Sequence, residues 1–369
     1  MWIHEHRNWP NFKWNAELLS SKLADIRYRQ GCLIGKMATL GFELKQEANL
    51  STLTSDVVKS SAIEGENLNR EEVRSSIARR LGMNIAGLKP AGRDVEGIVE
   101  MMLDATQHFS EPLTKERLFD WHAALFPTGR SGMLWITVGG WRTIDTGPMQ
   151  VVSGPIGREK LHFEAPSADR LEREMQSFLS WFDNGHAIDP VLKAGIAHLW
   201  FVTIHPFEDG NGRIARAISD MALARADGMS DRFYSLSSQI ESERKHYYSQ
   251  LEKQQRGTPE ITGWLEWFLD CLGRTIGNAE TTLGHVLFKA KLWDTINIKP
   301  INDRQCLIIN RMLEIDFKGY MNTSKYAKLA KCSNDTALRD IQALKERGIF
   351  VQNPGGGRST SYRLVDQVE

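Results

Sequence analysis

The chain has 369 residues with 46 basic and 46 acidic side chains, so its formal net charge is zero. This balance excludes the global electrostatic field that is typical of strongly basic nucleic-acid binders. The length is sufficient for two or three domains, each with its own hydrophobic core. Composition therefore predicts an ordinary globular protein, whose function must be sought in local motifs.

Cysteine usage and hydropathy bear on the compartment. The four cysteines lie far apart and form no CxxC pair, a pattern typical of a reducing compartment without structural zinc. Residues 1–7 contain no apolar signal region, and the most apolar stretch, residues 194–207, is too short to span a bilayer. We therefore expect a soluble cytoplasmic protein with no membrane association.

The first region, residues 1–90, is predicted to be mostly helical. Apolar residues recur at helical spacing between Trp14 and Leu44. Near the end of the region, residues 60–65 (SSAIEG) place a hydroxyl and a carboxylate one helical turn apart, on the same face. A Glu-Gly pair at the end of a helix is usually a simple cap, and this is one interpretation of the segment.

The second region, residues 91–295, follows a glycine- and proline-containing break at residues 87–92. Asp189 followed by Pro190 is a helix-start signal. Apolar periodicity predicts a core of amphipathic helices at residues 95–108, 115–126, 169–183, 189–204 and 213–227.

One predicted β-hairpin interrupts these helices. Two short strands flank a turn at residues 154–157 (GPIG), and the second strand covers residues 160–164. The first strand consists of Met149, Gln150, Val151, Val152 and Ser153. From the pattern alone, the hairpin is either a cap on the helices or an exposed edge that pairs with another chain.

The most informative segment is residues 205–216 (HPFEDGNGRIAR), which combines a base, a carboxylate, a glycine-rich turn and two guanidinium groups. Pro206 disfavours helical geometry at His205, so the preceding helix is expected to end there. Gly210 and Gly212 permit a tight loop whose N–H groups form an anion nest. Because this loop leads into a helix N-terminus, the segment predicts a phosphate site.

The polar groups of this segment suit chemistry on a metal-bound polyphosphate. The imidazole of His205, with an ordinary pKa of about 6.5, suits a general base near neutral pH. Mg²⁺ prefers one or two carboxylates plus phosphate oxygens, and Asp209 supplies one carboxylate. Arg213 and Arg216 can neutralise phosphate charge. The sequence therefore predicts a site for nucleotide-dependent transfer.

The last region, residues 299–369, has the order of elements that is typical of a winged helix-turn-helix. It carries 12 basic and 8 acidic residues, a weaker excess than most DNA binders have. Arg339, Lys345 and Arg358 can contact phosphates, but a protein partner fits the same fold, so both kinds of partner stay open. Two strands follow three predicted helices, at residues 304–315, 325–331 and 336–347.

Residues 205–216 resemble the signature HxFx(D/E)GNGRxxR of the Fic family, which fixes eight positions in a row of twelve. Most members transfer AMP from ATP to a hydroxyl side chain of a target protein. The resemblance implies that His205 is the general base, that Phe207 anchors the loop and that Asp209 holds Mg²⁺. It further implies that the phosphates of ATP contact an anion hole and two arginines, namely Gly210, Asn211, Gly212, Arg213 and Arg216.

The same resemblance gives a function to two other segments. Ser60, Glu64 and Gly65 match the family's inhibitory pattern (S/T)xxxE(G/N), which implies that Glu64 pairs with Arg216 and prevents the productive pose of ATP. The hairpin is similar to the family's flap in position and length. Residues 149–153 are therefore expected to pair with an extended segment of the target protein.

A third feature concerns the adenosine end of the nucleotide. Tyr247, Tyr248 and Gln255 fall where relatives have a tyrosine pair followed by a polar residue, which is often asparagine. Aromatic faces and an amide suit a purine. Ordinary helix packing explains either tyrosine equally well, so this interpretation has an alternative.

We therefore predict a mainly α-helical protein with a Fic-type core, a small β-hairpin flap, an N-terminal region with its own inhibitory helix and a C-terminal winged helix. The expected reaction is AMPylation of a Ser, Thr or Tyr hydroxyl, with ATP as co-substrate, Mg²⁺ as cofactor and pyrophosphate as product. A Doc-type phosphotransferase, which the intact residues 209–213 disfavour, and a nucleotide-sensing DNA-binding regulator are the alternatives. The sequence does not decide whether the chain forms a homodimer.

Overall fold

A computed structural model of the chain describes residues 1–83, 89–155, 157–184, 188–298, 300–313, 317, 319–354 and 360–365. The chain forms two compact units, Met1–Ala279 and Glu280–Glu369. Parts of the predicted features lie outside the described residues: residues 87–88 of the break, Ile156 of the hairpin turn, residues 314–315 of a helix, and residues 355–358 of the wing, including Arg358.

The first unit is mainly helical, and its last helix, α11, continues past the end of the unit. In the described residues its strands form two separate antiparallel pairs, β1 with β2 and β3 with β4. The strands are β1 (Arg130–Ser131), β2 (Leu134–Trp135), β3 (Gln150–Ser153) and β4 (Lys160–Glu164). The helices are α1 (Ala16–Ala38), α2 (Phe42–Ile63), α3 (Arg70–Arg80), α4 (Arg93–Gln107), α5 (Lys115–Leu125), α6 (Leu171–Asn184), α7 (Pro190–Ile204), α8 (Asn211–Asp227), α9 (Leu236–Ser242), α10 (Arg244–Gln255) and α11 (Thr262–Ile298).

Helix α7 is the central element of this unit. It is apolar on every side and almost wholly buried, and it packs along α8. Asp189 Oδ1 accepts the Val191 N–H at 2.8 Å, and Pro190 occupies the first turn, so the helix starts as predicted. It ends at Ile204, two residues before Pro206, which confirms the predicted end. None of the described helices combines the length and apolarity needed to cross a membrane.

Helix α8 begins at Asn211, two residues earlier than the prediction from residue 213. Gly210 takes the left-handed conformation with φ +80° and forms the N-cap. This conformation suits glycine, and a side chain there would also collide with the Phe126 ring. Gly212, which we expected in the loop, lies instead in the first helical turn.

The predicted N-terminal region packs into the same unit as the helical core. Helix α2 packs against α9, and it bonds to the segment between α8 and α9. Asn49 Oδ1 accepts the Arg232 N–H at 2.8 Å, and Asp56 Oδ1 accepts the Ser235 hydroxyl at 2.6 Å. Because these contacts join residues 1–90 to the core, the first compact unit includes both regions and ends at Ala279, which differs from the predicted boundaries at residues 90 and 295.

The predicted hairpin is present as β3 and β4. Gln150 pairs with Glu164 and Ser153 pairs with Lys160, with a register shift between Val151 and Val152. Met149 precedes β3 and extends the pairing, because its carbonyl accepts the Ala165 N–H at 2.9 Å. A second, shorter hairpin, formed by β1 and β2, was not predicted.

After α11, the second unit contains three further helices and a strand pair in the predicted order, within the part of the chain that the structure describes. Its core includes Ile308, Tyr326, Ile341 and Phe350. Asn322 caps the middle helix by accepting the Lys325 N–H at 2.8 Å, so this helix begins at Thr323, two residues earlier than predicted. The elements are α12 (Asp303–Met312), α13 (Thr323–Leu329), α14 (Asn334–Glu346), β5 (Phe350–Gln352) and β6 (Tyr362–Leu364).

Candidate active site

His205 lies just after α7, where the backbone enters the left-handed region with φ +52° and ψ +59°. Its Nδ1 is 3.2 Å from the Val202 carbonyl. Because a carbonyl can only accept, Nδ1 carries the proton and Nε2 keeps its lone pair. Burial lowers the pKa of His205 to about 4, so the ring is neutral at pH 7. The geometry therefore presents a proton acceptor at Nε2.

Phe207 and Asn211 hold the loop after His205 in shape. The Phe207 ring is fully buried and stacks on the His122 ring, with centroids 4.2 Å apart. The Asn211 side chain accepts the Phe207 N–H at 3.0 Å and donates to the Phe207 carbonyl at 2.8 Å. The Asn211 side chain is thus committed to closing the loop, and its backbone N–H is the group that can face an anion.

The N-terminus of α8 offers backbone donors to an anion. The first helical hydrogen bond runs from the Ile214 N–H to the Gly210 carbonyl at 3.0 Å, so the N–H groups of residues 211–213 precede the helical ladder. Glu64 lies against this end of the helix, since a Cβ added at Gly212 would overlap Glu64 Oε1. Gly212 is therefore needed for the close approach of a carboxylate, and the expected role as a loop glycine is corrected. The carboxylate sits where helix N-termini favour an anion.

Two carboxylates neutralise the two arginines of the motif. Arg216 Nη1 is 2.8 Å from Glu64 Oε1, and Arg213 Nη1 is 2.6 Å from Glu66 Oε2. Ser60 also binds Arg216, because its hydroxyl accepts from Nε at 2.8 Å and its carbonyl accepts from Nη2 at 2.9 Å. The arginine side chains are 1% and 5% exposed, whereas Glu64 and Glu66 are 30% and 49% exposed.

The turn after α2 places these carboxylates. Gly65 has φ +90°, a conformation that favours glycine, and the Glu66 N–H donates to the Ser61 carbonyl at 3.0 Å. This turn reverses the chain at the helix end. Glu64 and Glu66 can therefore face two arginines that lie on one turn of α8.

Asp209 lies two residues before α8 and offers a single carboxylate to a cation. Its Oδ1 accepts the Gly210 N–H at 2.6 Å, and its Oδ2 accepts the Ser131 hydroxyl. Among the described residues, no three His, Cys, Asp or Glu side chains cluster as a metal cage. One carboxylate beside an anion site fits Mg²⁺, which takes its other ligands from water and phosphate oxygens.

The three residues expected at the adenosine end occupy different environments. Tyr247 is buried, and its hydroxyl is 2.8 Å from His198 Nε2. Gln255 is also buried and donates to the Thr203 hydroxyl at 3.4 Å. Tyr248 is 38% exposed, with its hydroxyl 3.5 Å from Glu64 Oε2. Of the three, Tyr248 is the one that lies beside the Glu64 carboxylate with part of its surface exposed.

The two strands of the hairpin differ in how they are covered. Groups outside the hairpin bind two carbonyls of β4: Arg256 Nη2 donates to Leu161 at 2.7 Å, and His4 Nε2 donates to Glu164 at 2.8 Å. All four residues of β3 are exposed. The edge of β3 is therefore the one that is open to another strand.

Three residues at this site were not found from the sequence. Glu66 stands one residue beyond the inhibitory pattern, and that proximity is its one local signal. Ser131, which binds Asp209, and Arg142, which donates from Nε to the His205 carbonyl at 2.8 Å, come from distant segments and carry no such signal.

Two family models match the chain. The model described as Fic/DOC family matches residues 112–223, which include the whole motif and the hairpin. A model described as a domain of unknown function, DUF4172, matches residues 2–83, which include residues 60–65. The first match agrees with the family that residues 205–216 resemble.

Similar proteins carry the same family name. A protein adenylyltransferase Fic from Nematostella vectensis is 33% identical over 129 residues, which are 32% of this chain and 28% of that protein. Another from Drosophila melanogaster is 32% identical over 113 residues, 30% of this chain and 21% of that protein. The matched segment thus spans only about a quarter of the length of these curated relatives.

Solved structures show the same fold. A crystal structure of a Fic family protein from Desulfovibrio desulfuricans is similar with a TM-score of 0.51 and 20% identity, over 93% of this chain and 95% of that one. A Fic domain containing signaling protein from Bacteroides thetaiotaomicron gives a TM-score of 0.50 and 21% identity, over 68% of this chain and 96% of that one.

Proposed function

Because this chain carries a Fic/DOC family domain, we propose that it transfers AMP from ATP to a Ser, Thr or Tyr hydroxyl of a target protein. One observation carries the proposal: a neutral imidazole, a row of helix N–H groups and two guanidinium groups meet at the N-terminus of α8. These groups can hold a polyphosphate and deprotonate a hydroxyl beside it. Relatives of the domain that are named protein adenylyltransferase support the same reaction.

The proposed reaction is an in-line displacement at the α-phosphorus of ATP. His205 Nε2 accepts the proton of the target hydroxyl while the hydroxyl oxygen bonds to the α-phosphorus. The bond from this phosphorus to the bridging oxygen breaks, and pyrophosphate leaves with the electron pair. Arg213, Arg216 and the N–H groups of α8 hold the outer phosphates. When bound at Asp209, Mg²⁺ neutralises part of the phosphate charge.

We further propose that the resting site is self-inhibited. Glu64 occupies the anion position at the start of α8 and pairs with Arg216. The outer phosphates of ATP therefore cannot bind Arg216 and cannot enter the position that the carboxylate fills. Placing phosphate beside this carboxylate would bring like charges together in a partly dry site, which is costly. Displacement of Glu64 releases Arg216 for the γ-phosphate.

The target is proposed to dock on β3. An extended segment pairs with Gln150–Ser153 by strand addition, which presents one hydroxyl without a deep pocket. The exposed Val151 and Val152 side chains add apolar contact. The support for this docking mode is the open edge of β3 beside the covered β4.

The test is intact mass after incubation of the protein and a candidate target with Mg²⁺ and ATP. A gain of one AMP supports the proposal, a gain of one phosphate indicates a phosphotransferase, and no gain by wild type or Glu64→Gly supports a nucleotide sensor. His205→Ala should lower the rate by about 10²–10⁴-fold, because it removes the general base. His246→Ala, which removes an exposed histidine on α10, is the matched control and should transfer at the wild-type rate.

A second, binding function is proposed for the C-terminal unit, on the order of α12, α13, α14 and the β5–β6 pair. The outer face of α14 exposes Asp335, Leu338 and Arg339, a mixture of charge and apolar surface. Binding to a labelled DNA duplex distinguishes the partners: affinity that falls steeply with salt supports DNA, and its absence at low salt supports a protein partner.

A further inference from the structure

Arg142 is a buried arginine whose described hydrogen bonds go to backbone carbonyls. It lies in the segment that leads into the hairpin, and it is 3% exposed. Its backbone N–H donates to the Pro206 carbonyl at 2.9 Å, its Nε donates to the His205 carbonyl at 2.8 Å, and its Nη2 donates to the Pro166 carbonyl. Among the described residues it forms no ion pair.

Burying a guanidinium without a carboxylate is expensive, so packing alone does not explain this residue. Burial lowers the pKa of Arg142 to about 10, which reflects the same cost. A methionine or leucine would fill the space with less desolvation. The charge is therefore better explained by the two carbonyls to which the guanidinium donates.

The first contact lies at the general base itself. His205 has φ +52°, a conformation that residues with a side chain adopt rarely. In this conformation its carbonyl turns toward Arg142, while its ring Nδ1 faces the Val202 carbonyl. Arg142 therefore holds the backbone orientation on which the direction of the imidazole depends.

The other contact lies at the base of the flap. Pro166 is the second residue after β4 and follows Ala165, whose N–H closes the hairpin on the Met149 carbonyl at 2.9 Å. Arg142 thus bonds, with one side chain, to the residue that carries the base and to the end of the hairpin that is proposed to dock the target. The planar guanidinium can span both carbonyls, because its donors point in fixed directions.

We propose that Arg142 is a positioning residue that sets the distance and direction between the His205 imidazole and the hydroxyl presented by the flap. This role rests on the proposed AMP transfer. Arg142 does not touch the reacting atoms; it acts through the backbone of His205 and through the hairpin. A displacement of about 1 Å between a base and its substrate can cost about 10²-fold in rate.

The test compares steady-state kinetics of full-length variants in the Glu64→Gly background. Arg142→Met should lower kcat by about 10²-fold while the KM for ATP stays near that of the parent, because the phosphate-binding groups on α8 are unchanged. The kcat of Arg142→Lys should lie between that of the parent and that of Arg142→Met, since an ammonium group can donate to one carbonyl but cannot span both in the same plane. Added guanidinium should restore part of the kcat of Arg142→Ala.

Arg225→Gln is the matched control. Arg225 is a partly buried arginine that also donates to carbonyls, at 2.7 Å to Phe109 and 2.8 Å to Glu111, and it lies at the far end of α8 from the motif. It differs from Arg142 in that it pairs with Asp183 at 3.1 Å. Its loss should lower the free energy of unfolding without changing kcat. If Arg142→Met does not fold, Arg142→Lys and the guanidinium titration provide the same comparison.

The outcomes separate this inference from the proposed function. If the parent transfers AMP and a folded Arg142→Met protein has the same kcat as the parent, the positioning role is overturned and the proposed AMP transfer stands. An equal loss of kcat in Arg225→Gln also overturns it, because general destabilisation would then be sufficient. No transfer by wild type or Glu64→Gly overturns the proposed function, and the role of Arg142 falls with it.

Discussion

Two clusters of buried arginine and carboxylate lie along α8, and they differ in one respect. Near the start of the helix, Arg216 is 1% exposed but its partner Glu64 is 30% exposed. Beyond its end, the Arg232 side chain is fully buried, and its partners Asp220 and Asp227 are 1% and 2% exposed. One cluster thus has its carboxylate at the solvent side, and the other is sealed.

This difference indicates which ion pair can be exchanged. A carboxylate that water can reach loses little when it leaves, so an anionic ligand can take its place beside Arg216. A sealed carboxylate has no solvated state within the fold, so breaking the pair leaves a buried charge. Burial alone therefore does not distinguish a functional arginine from a structural one; the exposure of its partner does.

The sealed cluster also joins distant segments. Gln30 of α1 donates to the Tyr234 hydroxyl at 2.9 Å, and the Tyr234 hydroxyl donates to Asp227 at 2.7 Å. Asp56 of α2 accepts from Ser235 and lies near Arg232. Because α2 also carries Ser60 and ends directly before Glu64, the sealed cluster fixes the helix from which the exchangeable carboxylate extends.

The largest expected effect is on stability, at Arg232. Arg232→Met should lower the free energy of unfolding by about 3–5 kcal/mol, because it leaves buried carboxylates without their cation. Arg216→Met should cost about 1–2 kcal/mol, because Glu64 can hydrate. Urea denaturation followed by circular dichroism measures both. Equal losses in the two variants would remove the distinction between sealed and exchangeable clusters.

The next effect is on activity, at Glu64. Glu64→Gly should raise AMP incorporation, self-modification included, by about 10–100-fold, since a released guanidinium–phosphate contact is worth about 1.4 kcal/mol or more. The double variant Glu64→Gly with Arg216→Ala should lose this gain, because the freed arginine is what the gain requires.

Labelled-AMP incorporation under matched conditions measures both Glu64 variants. A simple helix cap predicts the opposite result, a small loss of stability with no gain in rate. Equal labelling by wild type and Glu64→Gly would contradict self-inhibition and would leave the proposed transfer reaction untouched.

The third prediction concerns pH and the sealed cluster. Burial raises the pKa of Asp56 to about 6 in the folded chain, against an ordinary value near 3.8. The folded state therefore binds the proton more tightly, and the stability from this group, fully present below about pH 4, is lost as the pH rises through about 6. Asp56→Asn should remove this part of the pH dependence, on the order of 2 kcal/mol between pH 4 and 7.

Unfolding curves of wild type and Asp56→Asn across this pH range provide the comparison. Asp231→Asn is the control, because Asp231 forms a partly exposed ion pair with Lys45 at 2.8 Å outside the sealed cluster. The difference in free energy of unfolding between wild type and Asp56→Asn should change with pH. The corresponding difference between wild type and Asp231→Asn should not. A pH-independent difference would show that Asp56 titrates as an ordinary exposed carboxyl.

The smallest expected effect is at Glu66. Its pair with Arg213 is short, at 2.6 Å, but Glu66 is 49% exposed, so screening by water weakens it. Glu66→Gln should therefore raise AMP incorporation only about two- to fivefold, in line with a surface ion pair of under 1 kcal/mol. A gain as large as that of Glu64→Gly would show that exposure of the carboxylate does not rank the two pairs.

Local features of the sequence predicted much of this molecule. Pro206 predicted the end of α7, Asp189 and Pro190 its start, and the glycine turn at residues 154–157 the hairpin, because each acts on the backbone conformation of its neighbours. The resemblance of residues 60–65 and 205–216 to one family led to the Glu64–Arg216 pair, which the structure contains at 2.8 Å. Its inhibitory effect stays a prediction.

The sequence by itself thus determined many of the helices, the turn residues and the chemical groups of residues 205–216, since these depend on spacing along the chain. The tertiary structure alone decided that Glu66 meets Arg213, that Gly212 is small to admit Glu64, and that Arg142 binds the His205 carbonyl. These contacts join residues 63 to 148 positions apart. No periodicity records such a contact, because it arises only when separate helices pack and exclude water between them.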